Sequence, residues 1–278
     1  LRETPGASPV PTASRWRKAR RSRDGRRMQT NLLGTGPRRV VVLHDWLCDT
    51  STWAPARPYL DTETFTWAFA DLRGYGAARD GGPATFTVEE AAGDVLAAAD
   101  RLGWGRFSVV GHSMSTIVAL HLAQTSAARV ERVVLTTPPP PKGFGYDAAT
   151  HARLQEVARG DDTQRARALA FMLGDRLGPE WLRFKLARWR ETSDPDAVAA
   201  YVALFGVTGL PDTTTPVACP VLAIAGEQDA PPMRSGAVLE ALTPLCPSLT
   251  VAPLADVGHY PMQEAPPLFA ALVQRFLR

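Results

Sequence analysis

Ser113 sits in the pentapeptide Gly111-His112-Ser113-Met114-Ser115, between the apolar run Phe107-Ser108-Val109-Val110 and the helical stretch Thr116-Ile117-Val118-Ala119-Leu120-His121-Leu122-Ala123. A strand, a sharp turn with serine at its tip and then a helix is the setting that turns a hydroxyl into a nucleophile. The tight turn holds the hydroxyl clear of the backbone, and the free amides at the helix start face a developing negative charge. Small residues are needed two positions to either side, where strand and helix backbones come close. Gly111 meets that demand, and Ser115 stands at the second position. A serine hydroxyl is a poor nucleophile at neutral pH, so it needs a base within hydrogen-bond reach and a carboxylate to orient that base.

The later part of the chain offers both. The run Val221–Ala225 ends in Gly226-Glu227-Gln228-Asp229-Ala230-Pro231-Pro232, and the run ending near Ala252 is followed by Asp256-Val257-Gly258-His259-Tyr260-Pro261. Both loops leave the C-terminal ends of strands, where open parallel sheets keep their sites. Of the five histidines, His259 is the expected base, because it follows the acid in the chain, has a glycine neighbour and comes after the last strand. His44 and His112 lie at strand ends and are expected to hydrogen-bond the backbone. Asp229 is the expected orienting carboxylate. Glu227, as a turn stabiliser, and Asp256, as a loop cap, compete with it. Two main-chain amides would form an oxyanion hole: that of Met114, after the nucleophile, and that of Trp46, in the loop His44-Asp45-Trp46-Leu47. The Trp46 indole would also wall the pocket.

These residues require a sheet to carry them. Runs at Arg39–Leu43, Thr64–Ala70, Phe107–Val110, Arg132–Thr136, Val221–Ala225 and Ser248–Ala252 read as short buried strands. Helices between them imply a parallel sheet covered on both faces, an α/β class. Thr87 and Glu90 predict a capped helix that Gly103 ends. A C-terminal helix with Leu268, Phe269, Leu272, Val273, Phe276 and Leu277 on one side is expected to cover the last strand. Residues 138–216 hold no strand run; Pro138-Pro139-Pro140-Pro141 opens a stretch of helical segments carrying Trp181, Trp189, Tyr201 and Phe205. That stretch reads as a helical cap inserted after the sixth strand, splitting a core domain of residues 28–137 and 217–278. Its aromatic and aliphatic residues predict an apolar acyl or aryl pocket, with its arginines on the solvated outer face.

Composition fits one large core: 278 residues, 45% hydrophobic and 21% charged. The net charge of +3 conceals a basic leader, residues 1–27, of charge +7, ahead of a domain of charge −4. The leader is expected to be disordered, and apart from it nothing suggests nucleic-acid binding. No apolar run is long enough to span a membrane. Cys48, Cys219 and Cys246 lack metal-ligand spacing and read as reduced, pointing to the cytoplasm.

Together these motifs resemble the α/β-hydrolase superfamily over about residues 28–278. His44-Asp45-Trp46 is similar to the oxyanion loop of its esterases, perhydrolases and epoxide hydrolases. Asp71-Leu72-Arg73-Gly74-Tyr75-Gly76 resembles their Asp-x-Arg-Gly-x-Gly turn, and the acid and histidine loops match in order. The resemblance implies the α/β-hydrolase fold and a serine hydrolase that cleaves a small apolar ester or lactone through an acyl-enzyme, with no cofactor or metal. Cofactor-free perhydrolysis and carbon–carbon bond hydrolysis use the same triad. Asp45 replaces the usual glycine of the oxyanion loop, so that loop either avoids a glycine-only conformation or strains Asp45. Ser115 is shared with the strigolactone and karrikin receptors, which leaves a slow-turnover, ligand-binding signalling protein as the second expectation.

Overall fold

The computed structural model describes residues 28–80, 84–173 and 176–278, so the expected leader lies outside the described residues. Seven strands form one sheet: β1 (Gln29–Leu33), β2 (Arg38–Leu43), β3 (Phe65–Asp71), β4 (Phe107–His112), β5 (Val130–Thr136), β6 (Val221–Gly226) and β7 (Leu249–Leu254). Their order is β1-β3-β2-β4-β5-β6-β7, with β1 antiparallel to β3 and every other pairing parallel. Strands β3 and β4 are buried along their whole length, as continuous apolar runs between two helical layers must be. β1 escaped the sequence reading because it is a half-exposed edge strand, Gln-Thr-Asn-Leu-Leu, with Leu32 open to solvent.

The chain runs outward from β2 to β3 and then returns to β4 on the other side of β2, with Leu43 in register with Gly111. This is the reversal point at which open α/β sheets form their crevices. It sets the loop after Leu43 beside the turn at Ser113.

Helix α1 (Val88–Arg101) is capped by Thr87, whose hydroxyl accepts the Glu90 N–H at 3.2 Å, and Gly103 ends it at φ 71°. The Glu90 carboxylate reaches back to the N–H groups of Phe86 and Thr85. Helix α2 (Ser115–Thr125) is buried on nearly every side, as its uniformly apolar sequence demands.

Between Thr136 and Val221 the described residues contain no strand but four helices: α3 (Ala148–Arg159), α4 (Asp162–Leu173), α5 (Gly178–Thr192) and α6 (Pro195–Ala203). This helical segment leaves the sheet after the fifth strand, not the sixth, because a single strand precedes β2 among the described residues. Helix α7 (Ser235–Leu242) packs on β6 and β7, and short α8 (Pro261–Glu264) leads into α9 (Pro266–Leu277).

Contrary to expectation, α9 does not cover the last strand. Its Phe269 and Val273 close on Val42, Phe69 and Val110, cross-strand partners that share one face at the middle of the sheet. The loop from β7 through α8 carries the chain back to that position. Leu268 points outward, half exposed, and the buried stripe is Phe269, Ala270, Val273 and Leu277.

The turn after β3 fastens the helical segment to the sheet. Asp71 accepts the N–H groups of Thr50 and Ala77, and Arg73 binds Asp94 through two nitrogens and also Glu90. Gly74, at φ 82°, accepts the Asp194 N–H, and a Cβ added there would lie 2.0 Å from the Ala197 Cβ of α6. Gly74→Ala is therefore expected to cost about 3 kcal/mol through backbone strain and overpacking. A chemical denaturation curve checks this, and an unchanged midpoint would refute it.

Candidate active site

Ser113 occupies the tip of the turn between β4 and α2 with φ 54°, one of three non-glycine residues in the left-handed region among the described residues. Its N–H donates to Thr136 O at 2.9 Å, which ties the strained tip to β5. A Cβ at position 111 would lie 2.7 Å from the Ser115 carbonyl oxygen, so only glycine fits. Ser115 lies outside the left-handed region and needs no glycine freedom. Its buried hydroxyl accepts the His112 N–H at 2.9 Å and has the carbonyls of His112 and Leu43 as acceptors. It thus stitches the elbow to the end of β2.

A hydrogen-bonded chain runs from this tip. Ser113 Oγ lies 3.0 Å from His259 Nε2, and His259 Nδ1 lies 2.7 Å from Asp229 Oδ2. The three come from loops after β4, β7 and β6. Glu227 takes no part: it accepts the Ser235 N–H at the start of α7, and Asp256 is exposed. The His259 loop is gripped by a residue the sequence reading missed. Glu264 accepts the N–H groups of Gly258 and Tyr260 through its two oxygens, on either side of the histidine. The His259 carbonyl accepts from His112 Nε2 at 2.7 Å and from the Thr137 hydroxyl at 3.2 Å.

Burial opposes the charged His259 ring, but the Asp229 carboxylate and its hydrogen bond outweigh it, so its pKa lies above the ordinary histidine value. For His112 burial outweighs the Asp45 carboxylate 3.8 Å away and holds the ring down to about 3. His44 donates from Nδ1 to its neighbour's carbonyl, Asp45 O, and accepts the Leu72 N–H at Nε2.

The loop after β2 is organised by Asp45. It is not in the left-handed region, so the loop avoids the glycine-only conformation. Asp45 Oδ1 accepts the N–H groups of Leu47 and Cys48, and Oδ2 accepts Lys185 Nζ of α5 at 3.0 Å, with both side chains fully buried. The three ammonium donors have three recipients: Asp45, Cys48 Sγ at 3.0 Å and the Tyr260 ring, whose centroid is 4.3 Å away. Burial opposes the Asp45 charge, yet Lys185, His112 and His44 hold its pKa below the carboxylate range. Burial pushes the Cys48 thiol up to about 12, so it stays protonated. All three cysteines are free. The Trp46 indole donates to Val198 O of α6 at 2.7 Å, and the Tyr75 hydroxyl donates to Trp46 O at 2.8 Å. Two helices of the segment therefore clamp this loop.

Ser113 and His259 open into a cavity of about 1030 Å³. Trp46 and Leu47 line it from the sheet side; Phe144, Tyr146, Leu154, Val157 and Phe205 line it from the segment following β5. Arg153, Arg167 and Arg176, expected on a solvated outer face, are exposed and at the same time line this cavity, as does Arg234. Helical periodicity within so irregular a segment does not say which side of each short helix faces the sheet. Among the described residues no group of three or more His, Cys, Asp or Glu side chains could hold a metal ion. No helix among them is long and apolar enough to cross a membrane.

Fold and site together define an α/β hydrolase. The model of the alpha/beta hydrolase family matches residues 40–272, and the chain belongs to that family. It is 27% identical over 251 residues to a pimeloyl-[acyl-carrier protein] methyl ester esterase of Nitrosomonas europaea, covering 86% of this chain and 94% of that one. Among solved structures, a hydrolase from Oleispira antarctica superposes with a TM-score of 0.78 at 18% identity, over 92% of this chain and 97% of the other. The enol-lactonase from Burkholderia xenovorans gives 0.73 at 23% identity, over 90% and 96%. At these identities the two structures speak to the fold.

Proposed function

We propose that the protein is a serine hydrolase that cleaves carboxylic esters or lactones through an acyl-enzyme. The observation that carries this reading is the unbroken Ser113–His259–Asp229 hydrogen-bond chain at the wall of an apolar cavity. Ser113 Oγ attacks the carbonyl carbon as His259 Nε2 takes its proton, and Asp229 stabilises the imidazolium that forms. The oxyanion is received by the main-chain N–H groups of Met114 and Trp46. The first sits at the start of α2; the second is on the loop that Asp45 and Lys185 organise. Collapse of the tetrahedral intermediate expels the alcohol, which takes the proton from His259. Water, deprotonated by the same ring, then releases the acid.

The residues of 138–216 act in this reading as a cap that encloses the acyl chain. Curated relatives of matching length are named esterases, which supports ester substrates. The slow-turnover reading drew on Ser115. That side chain sits unstrained, with its hydroxyl bonded inside the elbow, so we favour turnover.

A fluorophosphonate probe tests the nucleophile. A single adduct on the Ser113 peptide, formed at the rate at which p-nitrophenyl butyrate turnover is lost, is the expected result. Labelling elsewhere, or turnover that survives complete labelling, would overturn it. The pH profile gives an independent check. The base works only when neutral, so kcat/KM must fall as pH drops through the His259 pKa. Because that pKa is raised, the acidic limb should lie above about 6.5, the ordinary histidine value. A limb below 6 would contradict this electrostatic description.

A further inference from the structure

The cavity wall carries charge of one sign that ester cleavage does not use. Arg153 on α3, Arg167 on α4, Arg176 shortly before α5 and Arg234 next to α7 all line it. The acidic residues among the described lining are Asp45 and Asp229, and both are already engaged, with Lys185 and with His259. Arg234 is held by a bond from Nε to Asp229 O at 2.8 Å, and Arg176 by a bond from Nη1 to Gln228 O at 3.0 Å. Both are thereby fixed to the loop that carries the acid of the triad, and each keeps further N–H groups for a ligand. Arg176 also approaches Glu264, at 3.5 Å. Among the described residues Arg153 and Arg167 make no hydrogen bond or ion pair, although Arg153 lies close enough to Asp147 to favour its ionised form.

An exposed arginine on a helix is ordinarily just solvated. Here four arginines from four separate parts of the chain line one cavity whose remaining described wall is mainly apolar. These exposed guanidiniums keep their water at the cavity mouth, and a neutral chain in the cavity would offer Arg153, Arg167 and Arg234 no counter-charge. A planar anion would supply it, with the forked geometry that arginine suits.

We infer that the site takes esters whose apolar chain ends in a carboxylate. The ester carbonyl lies at Ser113, the chain runs along Leu154, Val157 and Phe144, and the carboxylate lies among the arginines. This inference rests on the ester-hydrolase reading and narrows its substrate class. At about 1030 Å³ the cavity is at the upper end of small-molecule pockets, with room for a chain between the two ends.

The test compares the monomethyl and dimethyl esters of adipic and suberic acids, equal in chain and differing in one charge. Binding is measured by calorimetry on the Ser113→Ala variant, which does not depend on turnover. The monoanion should bind at least about 10-fold more tightly than the diester in low salt, the worth of one or two charge-assisted hydrogen bonds. In 0.5 M sodium chloride, and in an Arg153→Gln/Arg167→Gln background, that preference should shrink to below about threefold as screening or charge removal takes effect. Equal or weaker binding of the monoanion, or none, overturns the inference. Turnover by the wild-type protein separates this failure from that of the parent reading. If both esters are hydrolysed without preference, the anion subsite is wrong and the ester hydrolase stands. If neither is hydrolysed while the monoanion still binds selectively, the subsite stands and the reaction is misassigned.

Discussion

Ser113→Ala is expected to lower kcat toward carboxylic esters by about 10⁵-fold, the scale seen when the nucleophile of a serine triad is removed. The loss is this large because the three groups act as one unit. Without Oγ, neither the base nor its carboxylate has a proton to move, and what remains is binding and the oxyanion amides. The fold should survive, since alanine accepts the same backbone as serine at φ 54° with the same strain, and Ser113 N–H keeps its bond to Thr136 O. The melting temperature should thus shift by only a few degrees, and fluorophosphonate labelling should vanish. A variant retaining more than about one per cent of kcat would remove Ser113 from the nucleophile's role. Such a result would redirect attention to the cavity's other polar groups, because no other serine among the described residues lines it.

Lys185→Met is the second large effect. It leaves the Asp45 carboxylate fully buried with its ammonium partner gone, and breaking such a pair costs roughly 3–5 kcal/mol. The loss should be visible as an earlier denaturation midpoint. A functional loss should accompany it, because Asp45 orders the N–H groups of Leu47 and Cys48 in the same loop that presents Trp46. If Trp46 N–H serves the oxyanion as proposed, kcat falls by about 100-fold, the scale of a lost oxyanion donor, while KM changes little. The double variant Asp45→Asn/Lys185→Met removes both charges and should regain most of the stability. The asparagine retains a carbonyl oxygen for the two amides, so part of kcat should return as well. Stability regained without any kcat would confine the pair to a structural role.

Much of this architecture could be read from residue order. The inner strands are continuous apolar runs because they are buried on both faces, β3, β4 and β6 along their whole length, and that burial imposes a pattern no loop mimics. Gly111-His112-Ser113 was legible for a different reason: backbone crowding at the elbow admits only glycine at 111, so the constraint is written in the residue type. Asp229 was harder to single out, since three carboxylates sit in adjacent loops and only the distance of 2.7 Å to His259 chooses among them. Edge strand β1 carries no comparable pattern, because half of it faces water. Lys185 was illegible altogether. A lysine on a helix rich in Arg, Glu and Trp reads as solvated, and its burial depends on Asp45, 140 residues earlier in the chain.

The sequence by itself therefore determined the family, the parallel sheet and the elbow, because each arises from local sterics or from burial that repeats along one strand. Tertiary structure decided what surrounds the proposed nucleophile. It brought Asp229, and neither Glu227 nor Asp256, to His259, placed α9 across the middle strands and buried the Lys185–Asp45 pair at the loop after β2. It also set Arg153 and Arg167 of two helices, and Arg176 and Arg234 of two connecting segments, along the cavity, a choice that no local pattern announces. These choices rest on contacts between residues far apart in the chain, set by how short helices of weak periodicity dock on the sheet. No local pattern encodes that docking.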